Sequence, residues 1–249
     1  MTTLTLTADT VTTSILLEIA LTSSVTKITR IDVNGTNDVR VKDYQLPSAA
    51  SGKLILSDYE AANGINTYAV YTAAGTVTAS AVLTLATPWF LIPRLPNFSA
   101  KVQQLTDYSS SRKSLSVAHD IIGRPDPVLA LGGMGTRRGQ LEIWMPDYPS
   151  AAALEDVFNR QEVAMLKQSV PKMDMFFIPE TLDVVPYTPQ GQSTCYRFTV
   201  NFRETKRPTG SLRGAIGWTF EELAVSFASF NEVAAAYATF DDLLLQREV

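Results

Sequence analysis

Cysteine and histidine occur once each in 249 residues, as Cys195 and His119. A single cysteine excludes an internal disulfide framework, so packing has to hold the fold. One residue of each kind also falls short of the three or four Cys and His ligands of a zinc site. A Ser-His-Asp arrangement built on His119 would need a nucleophile and an acid that the sequence does not mark; the ordinary reading is a surface or strand-end histidine. Positive charge is in deficit, with 21 Lys and Arg against 25 Asp and Glu and a net charge of −4. Nucleic-acid binding needs clustered Lys and Arg to neutralise phosphates, so the balance argues against that class. No apolar run approaches the ~20 residues needed to cross a bilayer. The opening MTTLTLTADTVTTSILLEIA has no basic segment ahead of its apolar stretch, so a secretory signal is not expected either. The expectation is a soluble chain made in the cytoplasm.

What is present is the material of an ordinary folded protein, 45% hydrophobic and 18% charged, where disorder would need fewer apolar residues. From Thr3 to about Ala86 short alternating runs of Thr, Val, Leu and Ile are divided by turn signals such as Asn34-Gly35 and Ser51-Gly52. Period-two alternation suits half-buried antiparallel strands, and about seven of them at this spacing predict a small β-sandwich. The runs TLTLT, SILLEIA, KITRIDV, VRVKD, KLIL, NTYAVYT and TVTASAVLTL are the expected strands, with Tyr68 placed like the corner tyrosine of an Ig-like sandwich. Residues 1–86 are therefore expected to form an Ig- or fibronectin-III-like domain. TPWFLIPRLPNF follows, and its Pro88, Pro93 and Pro96 predict a stiff linker over 87–98 that packs on a neighbouring surface.

Residues 99–208 are expected to be a β-domain carrying one helix. In RRGQLEIWMP, Leu141, Ile143 and Met145 alternate with polar partners; in TCYRFTVNFRE, Tyr196, Phe198, Val200 and Phe202 do so. Between them AAALEDVFNRQ carries Leu154, Val157 and Phe158 on one helical stripe, with Ser150 as the expected N-cap. The glycine-rich LGGMGTRRG lacks the Gly-Lys-Ser/Thr ending that holds phosphates and reads as a flexible hairpin or lumen-facing loop. No catalytic, cofactor-binding or metal-ligating residue is expected, and the chain does not read as an enzyme.

Residues 209–249 end in three ten-residue blocks, TFEELAVSFA, SFNEVAAAYA and TFDDLLLQRE. Ten residues at ~100° each rotate successive blocks by ~80°, so Phe220, Phe230 and Phe240 would point three ways on one helix. Each block has its own start signal, a Thr219, Ser229 or Thr239 hydroxyl with an acid three residues on. Three short capped turns are expected, each docked through its aromatic, with one amphipathic C-terminal helix as the alternative; the three phenylalanines are expected to be largely buried on the chain itself or on a neighbouring subunit.

GRPDPV (Gly123 to Val128), TRRGQLEIW, the helix ending in LEDVF, the strand MDMFFIP, VNFRETKRP and the closing GWTFEEL occur in this order. That succession resembles minor tail proteins of long-tailed actinobacterial phages, of the distal-tail kind, over residues 87–249. The resemblance implies a structural virion protein, made in the host cytoplasm and placed in the virion tail. Such proteins form a ring, typically a hexamer, joining the tail tube protein to tail tip, hub or baseplate proteins beside the tape measure. It implies a tail-tube-like β-sandwich or split barrel with a flanking helix, and no active-site residue. Candidate subunit contacts are Arg137, Arg138, Arg203, Lys206 and Arg207, set against the acidic C-terminal blocks with Phe220, Phe230 and Phe240. The competing reading is a receptor- or carbohydrate-binding tail module using the N-terminal domain.

Overall fold

Alternation of Thr with Leu and Ile sets up the first seven strands of the computed structural model, which describes residues 2–42, 46, 52–123, 125–170, 173–188, 193–213 and 227–237. They are β1 (Thr3–Asp9), β2 (Ser14–Leu21), β3 (Val25–Asp32), β4 (Gly35–Asp38), β5 (Gly52–Asp58), β6 (Gly64–Thr72) and β7 (Gly75–Leu83). One sheet has the order β1-β2-β5 and the other β4-β3-β6-β7. Ile15, Leu17 and Ile19, alternate residues of β2, are fully buried against Ile28, Tyr68, Val70 and Leu83 of the facing sheet. Each such side chain contributes about 2 kcal/mol of transfer free energy. The fourth strand pairs with the third rather than joining the β1-β2-β5 sheet, which departs from the Ig constant-type arrangement and gives the fibronectin-III-like one.

Two local expectations give way. The fourth strand is Gly35–Asp38, not VRVKD, because Gly35 at a φ of 106° reverses the chain immediately after Asp32. Val39 follows, its N–H still donating to the Ile28 carbonyl at 2.9 Å and its side chain buried in the core. Tyr68 is completely buried, but its hydroxyl donates to the Asp58 carboxylate at 3.0 Å rather than closing a backbone corner.

The second half contains β8 (Trp89–Ile92), β9 (Leu95–Lys101), β10 (Gln104–Ser111), β11 (Val117–His119), β12 (Val128–Ala130), β13 (Arg138–Met145), α1 (Tyr148–Asn159), β14 (Ala164–Lys167), β15 (Met175–Tyr187) and β16 (Cys195–Thr205). Seven of these strands form an antiparallel sheet in the order β10-β13-β16-β15-β14-β8-β9. Helix α1 touches β8 and β9 near one edge as well as β13 and β16 toward the other, so the sheet curls around it. Leu154, Val157 and Phe158 are buried there, and Phe90 stands edge-on to Phe158 and Phe177 at 5.5 and 5.9 Å. The helix starts earlier than its alanines suggest: Asp147 is the N-cap, accepting the Ser150 N–H at 2.8 Å, and Pro149 needs no donor partner in the first turn.

The proline-rich stretch is not a linker. It is the β8–β9 hairpin, with Pro93 and Arg94 between Ile92 and Leu95, and Phe90, Leu91 and Ile92 are buried. Pro96 lies on edge strand β9, where a missing N–H is tolerated. The same logic admits Pro179 and Pro186 in β15: β14 pairs only with Met175 to Phe177, and beyond that point one side of β15 has no strand partner among the described residues.

Of the three C-terminal blocks only the middle one falls among the described residues, as α2 (Phe230–Ala236). Ser229 caps it, accepting the Glu232 N–H, while the Glu232 carboxylate reaches back to the Ala228 N–H at 2.7 Å. Phe230 is not buried on its own chain: it is 79% exposed, and the local contacts come instead from Phe227, Val233, Ala236 and Tyr237. The hydrophobic side of this short turn falls on Val233 and Tyr237, one helical turn apart, and the first-turn aromatic is left outside it. Phe220 and Phe240 lie outside the described residues.

Candidate interaction surfaces

A polar seam joins the sandwich to the second sheet. Lys167 on β14 is fully buried, and its ammonium donates to the Thr13 and Tyr59 carbonyls at 2.5 and 3.1 Å. Thr13 holds a left-handed φ of 52°, a conformation a β-branched residue rarely adopts, and this turn presents its carbonyl to the lysine. Burial pushes the Lys167 pKa down to about 8, against the pull of Asp58 and Asp174. Asn63 donates to the Ser169 carbonyl at 2.6 Å, and Asn34 to the Asp174 carboxylate at 2.7 Å. Burial raises the Asp174 pKa despite that hydrogen bond.

Beneath the seam lies an ionic cluster. Arg30, nearly inaccessible, binds Asp58 at 2.5 Å and Asp32 at 2.6 Å, and Tyr68 donates to the same Asp58 oxygen. Burial opposes charge on Asp58, but Arg30 outweighs it and keeps the carboxyl below its ordinary range. Burial, then the Asp58 charge, holds the Tyr68 phenol above its own. A second buried carboxylate, Glu60, takes Arg40 at 3.1 Å and also Arg207, which donates to the Asp38 carbonyl at 2.8 Å as well. The Arg30 cluster pairs within the sandwich, while Arg207 on Glu60, and Arg40 on the Pro208 and Gly210 carbonyls, tie the two halves together.

Three of the arginines expected at subunit contacts have acidic partners within the chain. Arg207 is committed to Glu60, Arg203 pairs with Glu180, and Arg137 binds Glu204 at 2.7 Å and the Tyr108 hydroxyl at 2.9 Å. The Glu204 bond is the main reason the Arg137 pKa lies above its ordinary value. Each of these three thus has an acidic partner within the chain, and most of the acidic C-terminal residues lie outside the described residues. Arg138 is exposed and makes no ion pair among the described residues. His119 sits exposed in β11, and the Cys195 thiol faces the Tyr187 carbonyl at 3.4 Å. Among the described residues no three His, Cys, Asp or Glu side chains gather as a metal centre requires, and no helix is long and apolar enough to cross a membrane.

The largest feature missed at the sequence level is the excursion between β10 and β13. Residues 113–135 continue that hairpin outward as a two-stranded ribbon, tied by β11 to β12 and by Leu115 and Gly135 N–H groups donating to the Gly133 and Lys113 carbonyls. LGGMGTRRG is the returning strand of this ribbon. A methyl at Gly132 would lie 2.7 Å from the Leu115 backbone, and one at Gly139 only 1.8 Å from the Ser109 carbonyl oxygen. Gly132 and Gly139 let two backbones approach closely. Almost every residue from Ser111 to Met134 is exposed, including Leu115, Val117, Ile122, Leu129 and Leu131. The β11–β12 register puts Val117 and Val128 on one face and Leu129 on the other.

Compared with family models and with curated proteins, the chain matches none.

Proposed function

We propose that this chain is a self-assembling structural protein, a minor tail protein of the distal-tail kind that forms a ring between the tail tube and the tail tip or baseplate. The observation that carries the reading is the ribbon at residues 113–135, with large aliphatic side chains in water on both faces. An isolated two-stranded hairpin is marginal in water, and a contiguous apolar patch above a few hundred Å2 marks an interaction site. A mainly β architecture with a seven-stranded sheet around one helix agrees with a ring-forming tail domain, as does the order of sequence motifs. The partners in this reading are further copies of the chain, the tail tube protein, and tip or hub proteins beside the tape measure. A receptor- or carbohydrate-binding module would employ the N-terminal sandwich but leaves the ribbon without a use. Negative-stain images of the full chain should show closed rings with a central opening. Fields of single particles of one-chain size, or trimers, would sink the ring.

A further inference from the structure

The ribbon and a second exposed apolar patch lie at opposite ends of the same sheet. The ribbon leaves where Arg138 pairs with Arg203, and Ile178 completes that row. At the other end Met145 pairs with Tyr196, and Tyr196 with Pro186. The two ends are seven residues apart along β13, roughly 24 Å at ~3.4 Å per residue. The far end is aromatic and open. On the face turned away from the helix, Trp144 and Tyr187 meet edge to face at 6.1 Å; on the opposite face Tyr148 leans on Tyr196 at 6.1 Å and is itself 68% exposed. Val185 lies on the Trp144 face and is exposed, and among the described residues no strand pairs with β15 beyond Phe177 on the β14 side.

With the ribbon at one end and the aromatic patch at the other, one chain does not cover its own ribbon with its own patch. A second copy, placed head to tail, can. Leu115, Val117, Ile122, Leu129 and Leu131 of the ribbon are each exposed by half or more, and one partner of a standard interface contributes ~800 Å2. Trp and Tyr at the other end are the residue types that anchor interface hot spots. We infer that the ribbon of one copy docks on the Trp144–Tyr187 end of the next, making a heterologous contact that propagates as a ring or a stack. This deepens the assembly reading above by naming which two surfaces meet.

The test uses two full-length variants on exposed positions, checked for unchanged circular dichroism and melting. One is Leu129→Glu with Leu131→Glu, which disables the ribbon; the other is Val185→Glu with Tyr187→Glu, which disables the patch. Wild type should assemble, and each variant alone should need at least about tenfold more protein to do so, the effect of losing a hot spot. Mixed in equal amounts, the two variants have one working ribbon and one working patch between them, so the mixture should stop at a one-to-one dimer in sedimentation velocity. If the patch variant assembles like wild type while the ribbon variant does not, the ribbon docks elsewhere and the inference is overturned, though assembly stands. If both variants assemble normally, the inference falls in the same way. A wild type that stays monomeric throughout overturns the assembly reading as well.

Discussion

Raising the pH from 7 to 10 should stabilise the folded chain through Lys167. Its ammonium is fully buried at the seam, and burial lowers its pKa from 10.5 to about 8. The depressed folded-state pKa fixes the sign. Below pH 8 both folded and unfolded chains hold the proton, and the full cost of burying charge is present. Between about 8 and 10.5 the folded chain sheds its proton first, so the unfolded state binds more protons and stability rises with pH. Each tenfold difference in proton affinity between the two states is worth about 1.4 kcal/mol, so the gain between pH 7 and pH 10 is about 2.5 kcal/mol. Urea unfolding at half-unit steps of pH, run in parallel on wild type and Lys167→Met, isolates this contribution because every other titrating group is shared. At pH 7 the variant escapes the buried charge but leaves the Thr13 and Tyr59 carbonyls without their donor, costs of about 1–3 kcal/mol each that offset the relief. The curves should diverge with rising pH, wild type gaining on the variant. Parallel curves would refute the placement of Lys167 as a buried, charged fastener.

Other consequences follow from single contacts. Gly139→Ala should cost more than about 2 kcal/mol by forcing β10 from β13, whereas Gly133→Ala, with open space around it, should stay within about 0.5 kcal/mol; equal midpoints for the two would remove the close-approach explanation. Tyr68→Phe deletes a hydrogen bond to the ionised Asp58 and should lower stability by about 1.5–3 kcal/mol in the same assay. Phe230→Ala should change stability by no more than about 0.5 kcal/mol, since the ring is in water; a loss near ~3 kcal/mol would mean that it is a core position after all. Residues 1–86 expressed alone should melt cooperatively as a monomer, because their core runs from Ile15 to Leu85 without help from the rest; an unfolded product would show that the seam is indispensable.

Much of the fold was legible because period-two patterning is decided by burial on one face. The alternation of Leu141, Ile143 and Met145, or of Phe198, Val200 and Phe202, translates directly into side chains with almost no exposure. The helix stripe of Leu154, Val157 and Phe158 reads equally well. Prolines misled where edge geometry relieves them: the stretch around Pro93 and Pro96 reads as a breaker, yet it forms an edge hairpin with a buried apolar face. The ribbon was hidden for a different reason. Its aliphatic residues look like core in the sequence, and only the topology shows that no sheet or helix among the described residues covers them. Its glycines invited comparison with phosphate loops, although a close backbone approach accounts for Gly132 and Gly139. The charge pairing was also illegible. Nothing local links Arg207 to Glu60, or Lys167 to the carbonyls of Thr13 and Tyr59, more than a hundred residues away. Such partners are set by how two sheets meet. The capping of α2 by Ser229 and Glu232 was readable because it is local, whereas the fate of Phe230 depended on tertiary packing.

The mass of the full chain in solution tests the central claim most directly. Sedimentation equilibrium over a wide concentration range should find a closed assembly of the 27.3 kDa chain, six copies if the ring has the symmetry expected of distal tail proteins. A species of one chain's mass at every concentration would contradict the account, because the apolar ribbon would then be stable in water with nothing covering it.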